Sequence, residues 1–304
     1  MSPSPAAGPP AGLDGSGLDG SGRGWADGSV VEGSVQDGEH PAVETVVPRT
    51  WTQLQDVLFS EPWPQRAGRY HSNVVHRGLA CAGYGLLTSV QRLGRVERET
   101  DLLRNFRKYS RVPFGQQESD WEWLTLAQHH GLPTRVLDWT YSPLVALHFA
   151  TADVARHDED GAVWSADFVA AHERLPERVR GALRESGGTA FTVDLLGQVA
   201  PTLARFDALD AEPFMVFFEP PSLDERIVNQ YASFSVLSCP RQRTDEWLAR
   251  TQPPLVRKVV VPAALKPVVR ERLDQANVTE RVLFPGLDGL SRWLTRYYSS
   301  PPRW

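Results

Sequence analysis

Apolar positions along the chain change their period several times, and each change marks an element. In "TWTQLQDVLF", Trp51, Leu54 and Leu58 fall on one side of a helix. "SNVVHRG", residues 72–78, is a short apolar run that ends at a glycine and predicts a strand. "VERETDLLRNFRKYS" gathers Val96, Leu102, Leu103 and Phe106 near one face with its charges elsewhere, the pattern of an amphipathic helix. The spacing in "SDWEWLTLAQHHG" predicts a further helix, opened by a capping box of Ser119 and Glu122 and stopped at Gly131. "TRVLDWT" reads as a buried strand. "SPLVALHFATADVA" follows as a helix with Ser142 as N-cap and Pro143 at its first position.

Downstream, "GAVWSADF", "FMVFFEP", "SFSVLS" and "LVRKVVVP" predict strands, and "SLDERIVNQ" a short helix with Ser222 and Glu225 as its capping pair. Two helices are expected near the C-terminus, around residues 263–275 and 289–298. Strands and helices mix without a regular βαβ rhythm, so the expected class is α+β.

Composition changes this picture at one end. Residues 1–47 hold ten of the 24 glycines, a tandem "GLDGSGLDGS", seven acidic residues and one arginine, without apolar periodicity. Such a segment buries too little apolar surface to offset its ordering entropy, and a disordered acidic tail is expected there, followed by one folded domain over 48–304. The chain's net charge is −5, and removing the tail's −6 leaves the body at about +1. A nearly neutral body gives no support for strong nonspecific nucleic-acid binding, which needs a basic surface. Cys81 and Cys239 form neither a metal knuckle nor a disulfide framework. With no apolar run near the ~20 residues of a membrane span, and no basic start followed by an apolar stretch, a cytoplasmic protein without membrane partners is expected.

Candidate chemistry concentrates between Trp121 and Ala150. His129 and His130 close a helix, where one of them can face a cleft; the alternative is one buried hydrogen-bonding histidine and one solvated cap. His148, inside an apolar helix, reads as a satisfied core histidine. Adjacent histidines do not have the i, i+4 spacing of two zinc ligands on a helix, so no metal is expected. Arg135 and Asp138, three apart on a strand, point to opposite faces. Burial of either demands a partner or a ligand, and a core ion pair between Arg77 and Asp138 stands beside the pocket reading. Arg77 ends a strand just before Gly78: a guanidinium fork suits a diphosphate, and a glycine lets a ligand approach the backbone. Ser89 and Arg92 extend this anion-binding corner. The helix start at Ser142, near Thr140, adds a positive dipole end. Gln230, at the entrance to a strand, either satisfies backbone groups or binds a ribose hydroxyl.

The segments "HRGL…YGLLTSVQRLG", "WLTLAQHHGLPTRVLDWTYSPLVALHFA", "DGAVW", "ERIVNQYASFSV" and "VLFPGLDGLSRWL" resemble the FRG domain, over residues 51–298. His76 stands where the motif that names the family has an aromatic residue. The family layout resembles ADP-ribosyltransferases, which implies a mixed, mainly antiparallel central sheet split by helices and NAD as a substrate whose ADP-ribose passes to a macromolecular target. On that resemblance Arg77 would hold the NAD diphosphate, Thr140 and Ser142 would shape the nicotinamide-ribose pocket, and Gln230 would lie near the position of the acid. Gln230 cannot supply negative charge, so Asp138, Glu225 and Glu219 are the acids that could. A noncatalytic nucleotide-sensing or protein-interaction module is the alternative. A hydrolase is a weaker reading, because no convincing nucleophile is present.

Overall fold

The computed structural model describes residues 43–60, 72–110, 119–222 and 224–299. Its strands are β1 (Glu44–Val46), β2 (Val74–Leu79), β3 (Leu137–Thr140), β4 (Gly161–Asp167), β5 (Phe191–Thr192), β6 (Met215–Glu219), β7 (Ala232–Leu237) and β8 (Val256–Val261). They form one sheet in the order β1-β8-β4-β2-β3-β7-β6-β5. The two edge pairings are parallel and the rest antiparallel. The class is therefore α+β with a mixed, mainly antiparallel sheet, as the sequence predicts.

The helices are α1 (Trp51–Phe59), α2 (Ser89–Arg92), α3 (Glu99–Ser110), α4 (Asp120–His129), α5 (Pro143–Thr151), α6 (Phe168–His172) and α7 (Glu177–Ser186). They continue with α8 (Val193–Val199), α9 (Leu203–Asp207), α10 (Glu225–Asn229), α11 (Thr244–Arg250), α12 (Lys266–Gln275), α13 (Glu280–Leu283) and α14 (Leu287–Tyr298). Their ends follow local chemistry. Ser119 and Glu122 form the expected capping box at α4, Gly131 takes the left-handed conformation at φ +78° beyond it, and the Ser142 hydroxyl accepts from the Val145 N–H at α5.

Three expectations are corrected. β1 falls inside the segment expected to be tail, because Glu44, Thr45 and Val46 align with Arg257, Lys258 and Val259 of β8; residues 1–42 lie outside the described residues. The helix expected from Ser222 begins at Glu225, and Asp224 caps it by accepting from the Ile227 N–H (3.1 Å). The strand expected from Thr134 starts only at Leu137, since the Arg135 N–H goes to the Glu99 carboxylate (2.7 Å) rather than to a neighbouring strand.

Alternation along the strands sorts the core into layers. On one face, Phe234, Val236, Val216 and Phe218 pack against α3, α4, α7, α8 and α9 through residues such as Trp121, Leu124, Val179, Leu196 and Phe206. Across the same face, Val163, Val259 and Val261 meet α1, α5 and α12. The opposite face, with Val75, Trp139, Trp164, Met215 and Phe217, carries α6 and α11. The two halves of the sheet join weakly. β2 pairs with β4 from Val74↔Asp167 to Leu79↔Ala162, yet meets β3 only at His76↔Thr140. Past that pair the strands part, and the candidate site lies at the parting.

Candidate functional site

Arg77 is the residue after the last β2–β3 pair. Its side chain starts on the Trp164 face, as the Arg77↔Trp164 register requires. The parting of the strands lets the guanidinium reach β3, where Nη1 donates to the Asp138 backbone carbonyl (2.6 Å) and lies 3.6 Å from Asp138 Oδ2. Asp138 starts on the other face, opposite Phe234. Its Oδ2 accepts from Gln128 Nε2 of α4 (2.9 Å), and the Gln128 carbonyl oxygen accepts in turn from the Thr134 hydroxyl. Burial raises the Asp138 pKa, opposed by Arg77, the Gln128 amide and Arg226.

Two further arginines act on this carboxylate through their charge. Arg226, on α10, loses basicity through burial but is supported by Asp138 and Asp224. Arg92, at the end of α2, donates Nη1 to the Leu87 carbonyl (2.8 Å); desolvation and then repulsion from Arg77 lower its pKa, while Asp138 opposes the fall. At the rim, His129 Nε2 lies 2.9 Å from Asp224 Oδ2. Burial and the nearby Arg226 and His130 outweigh Asp224 and lower the His129 pKa. Arg77 of β2 thus contacts a partly exposed carboxylate on which the charges of Arg92 and Arg226, from α2 and α10, also act. Ion pairs of this kind are costly to bury and suit a site that receives an anion.

The other expected residues divide between this cluster and purely structural positions. Arg135 lies apart from it: its Nε and Nη1 donate to Glu99 (2.5 Å) and Asp207 (2.6 Å). Burial opposes that charge, but the two carboxylates outweigh it and raise the pKa. Ser89 is occupied by Thr134, donating to its carbonyl and accepting from its N–H (3.1 and 2.9 Å); it fixes the loop that leads into β3. His130 is the exposed C-cap of α4, its ring edge-on to His129. Thr140 donates to the Gln230 backbone carbonyl (2.7 Å) and accepts from the Ser142 N–H (3.0 Å). The Gln230 side chain turns to α13 and donates to the Leu283 carbonyl (3.0 Å), which satisfies backbone as one of the two sequence readings had it. Glu225 is exposed in the first turn of α10, and Glu219 accepts from the Tyr141 hydroxyl (3.3 Å).

Gly78 lets α5 pack closely against β2. A Cβ there would lie 1.8 Å from the Ala146 carbonyl oxygen and 2.7 Å from the Ala150 nitrogen of α5. His76 is buried, its Nδ1 2.9 Å from the Ser165 hydroxyl, and desolvation with the nearby Arg257 lowers its pKa to about 4. A neutral, hydrogen-bonded imidazole therefore fills the core where the family motif has an aromatic ring. Sequence reasoning missed Gln128 and Arg226. Both lay within quoted segments; Arg226 stands four residues before Gln230, which drew attention instead.

Residues 72–159 match the family model described as the FRG domain. The chain carries an FRG domain. The match covers β2 to the turn before β4, including Arg77, Arg92, Gln128, His129 and Asp138, while Arg226, Glu225 and Gln230 lie outside it. It is shorter than the resemblance read over residues 51–298. No curated protein and no solved structure matches the chain. Among the described residues, no group of three or more His, Cys, Asp or Glu side chains is placed to hold a metal, and no helix is long and apolar enough to cross a membrane.

Proposed function

We propose that this FRG-domain protein binds an anionic nucleotide-like ligand, of which NAD and ADP-ribose are the leading candidates, where β2 parts from β3. One observation carries the reading: Arg77 reaches the Asp138 carbonyl and carboxylate where β2 leaves β3, and the charges of Arg92 and Arg226 act on the same carboxylate. A diphosphate takes up such forks by charge-assisted, bidentate hydrogen bonds. α10 brings Arg226 to the site and is itself fastened to α13, because Asn229 and Gln230 donate to the Val282 and Leu283 carbonyls. α13 is held through Glu280, which binds Arg270 of α12 and Arg296 of α14. Recognition therefore draws on the C-terminal helices as well as on the family segment.

Transfer of ADP-ribose to a macromolecule is the second reading, and Asp138 favours it. Among Gln230, Asp138 and Glu225, only Asp138 has its carboxylate beside Arg77, where it could face the cation that develops as nicotinamide leaves. A cytoplasmic setting agrees with the free thiols of Cys81 and Cys239. The two readings separate in one experiment. The full chain is titrated with ADP-ribose by calorimetry, and nicotinamide release from NAD is followed in parallel. Saturable binding that Arg77→Met or Arg226→Met weakens at least about tenfold supports the site. Nicotinamide release lost in Asp138→Asn adds transfer, and binding without release leaves a sensor. Absence of binding to ADP-ribose and NAD alike overturns the proposal.

A further inference from the structure

The face of the sheet opposite Asp138 holds a second arrangement of donors. Arg77 on β2, Trp164 on β4 and Lys258 on β8 are direct ladder partners, so they form one row across three adjacent strands on one face. Trp164 is 5% exposed and its indole N–H has no hydrogen-bond partner among the described residues; the Arg77 Nε–H is likewise buried and unpaired among them. The Lys258 ammonium lies 5.2 Å from the Trp164 ring centroid. Buried donors are almost always satisfied, because each orphan forfeits its hydration without return. Two orphans on directly paired residues point to a missing acceptor.

The donor chemistry identifies that acceptor. Guanidinium Nε–H, indole N–H and ammonium only donate. A water molecule accepting from them would find no acceptor among the three for its own protons, whereas an oxyanion uses only lone pairs and gains from both cations. We propose that Arg77, Trp164 and Lys258 form an oxyanion subsite that takes a phosphoryl or carboxylate group. It rests on the reading of Arg77 as an anion-binding residue and extends it. Nη1 is engaged on β3 and Nε is not, which leaves one guanidinium a donor for each of the two anions.

The test follows the Trp164 indole resonance in the full chain labelled with 15N-tryptophan, with the signal assigned by its absence in Trp164→Phe. Inorganic phosphate and acetate are titrated separately at constant ionic strength, which distinguishes the two sources of oxyanion. The subsite predicts a saturable downfield shift of this one indole proton with at least one of them. It also predicts about tenfold weaker binding in Lys258→Met, the loss expected for one charge-assisted contact. A spectrum in which neither anion moves any indole signal overturns the proposal even if Trp164→Phe fails to fold, as does a Lys258→Met response equal to that of the wild type. Arg226→Met keeps the two sites apart, since it should lose ADP-ribose and keep the indole response. If the wild type shows the indole shift and does not bind ADP-ribose, the nucleotide reading fails and the subsite stands.

Discussion

Replacing Gly78 by alanine tests whether the glycine after Arg77 is there for packing or for a ligand. The added methyl would sit 1.8 Å from the Ala146 carbonyl oxygen, 2.7 Å from the Ala150 nitrogen and 2.8 Å from the Ala146 carbonyl carbon. All three are backbone atoms, so no side chain can rotate away. Ordinary contact begins at 3.4 Å, and reaching it demands that α5 retreat from β2 by about 1.6 Å, far beyond what a packed interior absorbs without cost. Ala146, Leu147 and Ala150 would lose close contact with Val163 and its neighbours. Overpacking costs typically about 1–3 kcal/mol, and the rigid obstacle places Gly78→Ala at about 3 kcal/mol. For a domain of this size that is a fall in Tm of roughly 6–12 °C. Gly131→Ala is the matched control: at φ +78° with nothing within 4 Å of its Cβ, it meets only left-handed backbone strain of about 1 kcal/mol. Urea unfolding of both variants, with ADP-ribose titration of the folded protein, is the assay. Gly78→Ala that melts like the wild type yet no longer binds would refute the packing argument and return the glycine to the ligand.

Three further outcomes are expected. Burial lowers the pKa of His76, His148 and His172 to about 4, about 3 and about 4. The folded state keeps them neutral while the unfolded chain protonates below about 6.5, so stability is complete above that pH and falls toward pH 4 by about 1.4 kcal/mol per unit per histidine. Urea midpoints should drop steeply between pH 7 and 5, and a flat profile would contradict the buried neutral rings. Arg135→Met strands the Glu99 carboxylate, which is 3% exposed, and should cost about 3–5 kcal/mol without changing ADP-ribose affinity; adding Glu99→Gln should recover part of the loss. Lys266 is fully buried and donates to the Ala80 and Arg156 carbonyls (2.9 and 2.6 Å), so Lys266→Met leaves two partly buried acceptors without this donor and should lower unfolding free energy by about 2 kcal/mol in urea titration.

How much of this was legible in the sequence depended on the range of the forces. α4, the turn at Gly131 and α5 were readable because their ends rest on contacts within a few residues: the Ser119–Glu122 box, a left-handed glycine, and Ser142 before Pro143. β1 was not, because three residues with little apolar character become a strand only by joining β8 some two hundred positions away. The cap at Asp224 displaced Ser222 because two capping residues stood close together and only geometry chose between them.

The site shows the same division. Arg77 beside Asp138 could be named as a pair from residue chemistry, since buried charges need partners. Arg135 could not be assigned, because Glu99 and Asp207 reach it from α3 and α9. The packing demand on Gly78 was not legible because the backbone that crowds it belongs to α5, and a strand-ending glycine looks the same whether a helix or a ligand lies against it. Arg226 was passed over because its approach to Asp138 depends on α10 being held by α13.

The central claim is that Arg77 binds an anion where β2 leaves β3. The most direct measurement is a crystal structure of the full chain soaked with ADP-ribose. The account predicts diphosphate density within hydrogen-bonding distance of the Arg77 guanidinium, flanked by Arg92 and Arg226. Density for the diphosphate elsewhere on the molecule, with Arg77 still closed onto the Asp138 carbonyl, would contradict it.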